Sequence, residues 1–250
     1  MKYMGSKARI AKYILPYIKA VLKPDMLYVE PFLGGANMMS AVNHPHRLGI
    51  EYNHYVAEMW SALLTGWQPK IDLTKEEYIH IRDNKDKYPA HVVGYTGICC
   101  SYCGKWFGGY AATITEKGRM RDYRVEAWNN TTKQLKSLAG LSVRSGSYES
   151  FESTNPCVIY CDPPYRETTG YKDSFDSDKF FDWVRAQVEK GHIVLISEYS
   201  APDDFVELWV KPVKSSLSAN GSVGGSKVST ERLFCHQSQK YLFLGVDTGK

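Results

Sequence analysis

The apolar run Cys157-Val158-Ile159-Tyr160-Cys161 is followed at once by Asp162-Pro163-Pro164-Tyr165. Five residues are too few for a helix, and X-Pro-Pro is extended and strand-terminating, so the run reads as a buried strand that stops at Asp162. Similar short runs at 27–29, 47–50 and 192–197 alternate with helical patterns, one at about 7–22 with Ser6 as its cap and Pro16 as a bend, another at about 178–190. This alternation specifies an α/β fold. In open α/β sheets, ligands bind beyond the carboxyl ends of the strands, which is where Asp162 to Tyr165 fall. Asp162 and the Pro163 carbonyl can each accept a hydrogen bond from an exocyclic NH2, and Tyr165 offers a ring face for stacking. On these four residues alone, a plain strand-ending turn stays open as the alternative.

A second segment, Leu27-Tyr28-Val29-Glu30-Pro31-Phe32-Leu33-Gly34-Gly35-Ala36-Asn37, reads as strand, glycine turn and then a helix through Met38 and Met39 to about Asn43. Glycines let backbone approach a ligand closely, yet the spacing departs from G-x-G-x-x-G and so argues against a dinucleotide phosphate cradle. The next short strand, Arg47 to Ile50, ends in Glu51-Tyr52-Asn53. An acid at the end of the second strand of a mononucleotide-binding half is the expected partner of ribose hydroxyls.

Together, E-P-F-L-G-G-A, I-E-Y-N and D-P-P-Y resemble motifs I, II and IV of the Dam-type, S-adenosylmethionine-dependent DNA N6-adenine methyltransferases, and Tyr3-Met4-Gly5-Ser6-Lys7 resembles that family's motif X. The order, cofactor motifs first and D-P-P-Y last, is that of the alpha class, in which a target-recognition region lies between the two. Glu51 departs from the family's commoner Asp. The resemblance implies a Rossmann-like class I methyltransferase sheet, mostly parallel with an antiparallel final strand, and a mainly helical inserted recognition subdomain. Residues 1–66 and 146–250 would form the catalytic domain and 67–145 the insertion. It further implies that Asp162, Pro163 and Tyr165 meet the target base, and that S-adenosylmethionine is bound by Tyr3, Lys7, Glu30, Phe32, Gly34, Gly35, Glu51, Tyr148 and the edge of Asp162. The target adenine must be flipped out of duplex DNA to reach such a pocket. GATC is the default site. An N4-cytosine methyltransferase, which usually has Ser for Asp162, a protein glutamine methyltransferase, which usually has Asn there, and a silent nucleic-acid-binding module are the competitors.

Composition sets bounds. A chain of 250 residues, 43% hydrophobic, can bury one α/β core with a subdomain. No apolar run approaches the ~18 residues that span a bilayer, so no membrane is expected, and the resemblance implies a DNA-associated location in the cytoplasm of a bacterial or phage-infected cell with no obligate protein partner. Of six cysteines, Cys100 and Cys103 match C-x-x-C without a second pair, so no metal is expected. The net charge of +4 is modest, but between Lys105 and Arg144 eight basic residues stand against three acids. Lys105, Trp106 and Tyr110, followed by Arg119, Arg121 and Arg124, combine cations with aromatics as double-stranded DNA requires. The stretch from about Tyr123 to Leu138 reads as a helix whose buried stripe is 125, 128, 135 and 138. Residues 218–230 read as a Ser/Gly loop between final strands at 208–214 and 240–246.

Overall fold

The computed structural model describes residues 1–116, 119–164, 175–214 and 228–246. In chain order the elements are α1 (Ala11–Val21), β1 (Leu27–Glu30), β2 (Arg47–Glu51), α2 (His54–Leu64), α3 (Lys75–Asp83), α4 (Ala90–Cys99), β3 (Thr113–Glu116), β4 (Arg119–Asp122), α5 (Tyr123–Ser137), β5 (Ser142–Ser145), β6 (Cys157–Cys161), α6 (Ser177–Glu189), β7 (Ile193–Glu198), β8 (Phe205–Lys214) and β9 (Val228–His236). Seven strands form one sheet in the order β5-β2-β1-β6-β7-β9-β8, and β3 and β4 form a separate hairpin. β2 with β5 and β6 with β7 pair in parallel, while β9 runs antiparallel to both its neighbours. This is the expected α/β sheet with one antiparallel strand.

Two compact units divide the chain. One comprises residues 1–15 and 29–151, the other residues 16–28 and 152–250. In the first, β2 is buried at every position and α2 inserts Val56, Met59, Trp60 and Leu63 into the core. In the second, all five residues of β6 are buried, as are Val194, Leu195 and Ile196 of β7. Each such aliphatic side chain removed from water contributes about 1.5–3 kcal/mol. Tyr160 Oη and Ser197 Oγ, on adjacent strands, pair at 2.7 Å, so this core also holds a satisfied polar contact.

Three local expectations need correction. Residues 36–43 form successive turns and not a helix. Ala36 takes a left-handed φ of 50°, the Ser40 hydroxyl bonds the Asn37 carbonyl, and Arg47 draws off the Met39 and Val42 carbonyls, so the helical ladder is diverted. Residues 237–243 form a 3-10 turn and not the final strand, because β9 already fills the slot between β7 and β8. The sheet resumes at β5, before residue 146. Of the Ser/Gly stretch expected as a loop at 218–230, residues 218–227 lie outside the described residues, and 228–230 belong to β9, paired with β8.

Candidate active site

The Glu30 to Glu51 region shows why the sequence folds as it does. Leu33 donates its N–H to the Ile50 carbonyl at 2.9 Å, tying the turn to β2. Gly34 has φ of 48°, a conformation that suits glycine. Glu51, buried at the end of β2, accepts the Gly34 N–H at 2.7 Å on one carboxylate oxygen and the Asn53 N–H at 2.9 Å on the other. Burial raises its pKa, and the two N–H bonds oppose that shift. Each oxygen has further lone-pair capacity, so the carboxylate can also accept from a vicinal diol.

Other expected cofactor residues gather in the same unit. Phe32 and Tyr148 stack with ring centroids 5.4 Å apart at 28°. Tyr148 is buried in a short 3-10 turn that Ser147 caps. Tyr3 packs on the turn itself: a Cβ at Gly35 would lie 2.5 Å from the Tyr3 Cβ, and one at Gly34 2.8 Å from its ring. The close approach that these glycines permit is therefore made by Tyr3. Lys7 is buried and donates to the Gly5 carbonyl at 3.2 Å, while Glu30 is buried at the last position of β1. An acid with acceptor capacity, a glycine turn and an aromatic pair fit a nucleoside cofactor.

Asp162 and Pro163 directly follow β6, Asp162 half-buried and Pro163 buried. Proline has no N–H, so the Pro163 backbone presents only an acceptor. Tyr165 lies outside the described residues, as do Arg166, Thr168, Thr169 and Tyr171.

The basic segment separates into two kinds of side chain. Arg124 donates to both Asp122 oxygens, to the Leu73 carbonyl and to Tyr110 Oη, which itself donates to the Leu73 carbonyl at 2.7 Å. The Arg124 guanidinium holds Asp122 down to a pKa of about 2. Trp106 stacks on Tyr55 at 5.8 Å and fills the space where Gly97 lacks a Cβ. These three hold the segment together. Lys105 is exposed, and Arg121 pairs with both oxygens of Glu126 at 2.8 and 2.9 Å beside Met120, which is 79% exposed. Arg121, Met120, Val125 and Glu126 line a groove of about 430 Å³ with Thr113 and Asp122. Arg119 is described in its backbone alone, as part of β4. The hairpin of β3 and β4 has no clear signal in the sequence pattern.

Side chains unforeseen in sequence complete the turn. Trp60 Nε1 donates to the Gly34 carbonyl at 2.9 Å, and Gln134 Nε2 donates to those of Gly35 and Ala36 at 2.8 and 2.9 Å. The buried residues of α5 are Ala127, Thr131 and Gln134, with Leu138 just beyond, so the expected stripe is rotated, and Val125 is exposed. The i, i+4, i+7, i+11 spacing of 127, 131, 134 and 138 was the available signal. It was masked because two of its members are polar. Among the described residues no group of three or more His, Cys, Asp or Glu is placed to hold a metal ion, and burial pushes the Cys99 thiol up to about 12. No described helix is long and apolar enough to cross a membrane.

Among solved structures, this chain is similar to the SMU.472 protein complexed with SAH, at 12% identity and a TM-score of 0.38, covering 94% of this chain and 54% of that one. It is also similar to the glycopeptide N-methyltransferase MtfA complexed with sinefungin, at 10% identity and a TM-score of 0.30, covering 97% and 75%. The chain thus spans about half the length of the first of these. No curated protein matches it. Residues 3–215 match the model of the D12 class N6 adenine-specific DNA methyltransferases, and the chain belongs to that family.

Proposed function

We propose that this chain transfers the methyl group of S-adenosylmethionine to the exocyclic amine of adenine at a short site in double-stranded DNA. The observation that carries this reading is the pairing of Glu51 with the glycine turn, beside the stacked Phe32 and Tyr148, in a chain of the D12 family. Glu51 would hold the ribose hydroxyls, Tyr148 and Phe32 would border the adenine of the cofactor, and Tyr3, Lys7, Glu30 and the turn from Gly34 to Gly35 would line its methionine portion. When bound, S-adenosylmethionine supplies an electrophilic methyl group on a sulfonium.

Asp162 and the Pro163 carbonyl would accept the two protons of the target amine as hydrogen bonds. The lone pair of that nitrogen is conjugated with the ring, and these bonds favour a pyramidal geometry that frees it for in-line attack on the methyl carbon, whose bond to sulfur would break with the electron pair left on S-adenosylhomocysteine, while the amine would shed one proton to water. Rate is gained by positioning and local electrostatics. Tyr165 would stack on the flipped base, replacing part of the stacking lost in the duplex. Residues 1–66 and 146–250 would make the catalytic domain, with β5 added to it, and residues 67–145 the recognition insertion. Within that insertion Lys105 and Arg121 would contact DNA along with Arg119, supported by Trp106, Tyr110 and Arg124. A cytoplasmic, DNA-associated location follows from such a substrate.

Detection of modified bases by sequencing DNA from cells expressing the chain is the direct test, with GATC the first duplex to assay in vitro. N6-methyladenine at a short common sequence is expected. N4-methylcytosine as the product, or no modified base, would overturn the proposal.

A further inference from the structure

The carbonyls of Gly34, Gly35 and Ala36 are consecutive, and each is taken by a side chain from elsewhere in the unit. Trp60 of α2 takes the first and Gln134 of α5 the other two. On the opposite side the Gly34 N–H goes to Glu51. Ala36 has no glycine's freedom at its positive φ, so the turn carries local strain that surrounding bonds must hold. Gln134 is buried, with one amide bridging two carbonyls, and its Oε1 accepts from the Met1 nitrogen. A buried amide left unpaired is costly, so this geometry has few alternatives.

A second clamp ties the same two segments together. The Arg47 guanidinium donates to the Met39 and Val42 carbonyls, both at 3.2 Å, and to those of Ser137 and Ala139, both at 2.8 Å. The carboxyl end of α5 is thereby fixed to the stretch that follows the turn, while its amino end continues directly from β4 of the exposed hairpin.

We propose that Gln134, though it lies in the segment assigned to DNA recognition, is a positioning residue for the cofactor turn. It sets the orientation of Gly35 and Ala36 and thereby the affinity for S-adenosylmethionine. This rests on the reading of that turn as the cofactor site. Gln134 would act through the turn and touch neither substrate.

The test is calorimetric titration of the purified full chain and its variants with S-adenosylhomocysteine, alongside steady-state kinetics. Gln134→Met keeps the volume and removes the donor, and should raise the dissociation constant about tenfold. Gln134→Glu keeps the length and the acceptor for Met1 but sets a carboxylate against two carbonyl oxygens, and should raise it further. The KM for S-adenosylmethionine should rise in parallel, while the KM for DNA and kcat at saturating cofactor stay within about twofold. A merely structural residue would lower kcat, both affinities and the unfolding midpoint together, and that result overturns the proposal. Unchanged affinity in folded variants does so too. If Gln134→Met does not fold, Gln134→Glu carries the comparison. A parent chain that fails to bind S-adenosylhomocysteine would defeat the cofactor reading itself, and this proposal with it.

Discussion

Glu51 and Asp122 are acids of one compact unit, each accepting two backbone N–H groups, yet they are shifted in opposite directions. Burial raises Glu51, whose hydrogen-bond partners among the described residues are both backbone groups, whereas the Arg124 guanidinium lowers Asp122 to about 2. The acid at the strand end is held by two neutral N–H groups and can serve a ligand that brings further donors. The acid at the start of α5 is already compensated and serves the fold. Asp122 is thus a weak candidate for ligand binding, and Arg124, whose side chain is 13% exposed against 39% for Arg121, is the weaker candidate for DNA contact. Asp162, directly beyond β6, shares with Glu51 its place at the carboxyl end of a strand.

The largest expected effect would test that grouping. Asp162→Ala should lower methyl transfer by at least about 3 kcal/mol, roughly a hundredfold or more, while S-adenosylmethionine binding stays nearly intact. Wild-type turnover in the purified variant would remove Asp162 from the ligand-facing class.

Next in size, Glu51→Ala should weaken S-adenosylmethionine binding by roughly 1.5–3 kcal/mol, read by calorimetry. The same side chain gives the parent a pH signature. Because its pKa is raised, the carboxylate that the ribose needs is present above that raised value and is lost as pH falls through it. Cofactor affinity should therefore begin to decline at a pH higher than the ordinary glutamate value of about 4.3 would give. A pH-independent dissociation constant, or an unchanged one in the variant, would break the contrast with Asp122.

Asp122→Asn probes the other half and should cost about 1–2 kcal/mol of stability near neutral pH, with cofactor affinity unaltered. Its folded-state pKa of about 2 lies below the unfolded value of about 3.9, so the contribution is full above about pH 4 and lost as pH falls toward 2. Urea unfolding of parent and variant should accordingly converge across that window. A stability gap that persists at low pH would mean that the charge of Asp122 is not what holds Arg124.

The smallest effects should come from the exposed cations. Lys105→Ala and Arg121→Ala should each reduce the salt slope of DNA binding by about one, without altering affinity for free cofactor. If Arg121 instead reads a base, its loss should cost about 1–3 kcal/mol and relax preference at one position. Titrations against GATC and scrambled duplexes at several salt concentrations separate these outcomes. Parental behaviour in both variants would leave the basic concentration as a solvated surface.

The sequence by itself determined the strands and what terminates them. The apolar run to Cys161 is a buried strand, β2 ends at Glu51, and the glycine turn follows β1, because these features depend on side-chain pattern and backbone freedom within a few neighbouring residues. Ser6 caps a 3-10 turn at Lys7–Arg9 ahead of α1, not α1 itself, whereas the helical pattern that ends near Glu189 was legible for the same reason. Tertiary structure alone decided which groups hold the turn. Trp60 is 26 residues from Gly34 and Gln134 is 99 from Gly35, and a buried glutamine reads in sequence as a surface residue until the carbonyls it serves are known. The same holds for Arg47, which takes the Met39 and Val42 carbonyls within the stretch expected as a helix and those of Ser137 and Ala139 beyond α5, and for Arg124, whose partners Asp122 and Tyr110 a run of basic residues does not announce. Local pattern chooses an element. The partners of a buried polar group are set by which distant segments the sheet brings beside it, because once water is excluded each donor and acceptor must find its match within the protein.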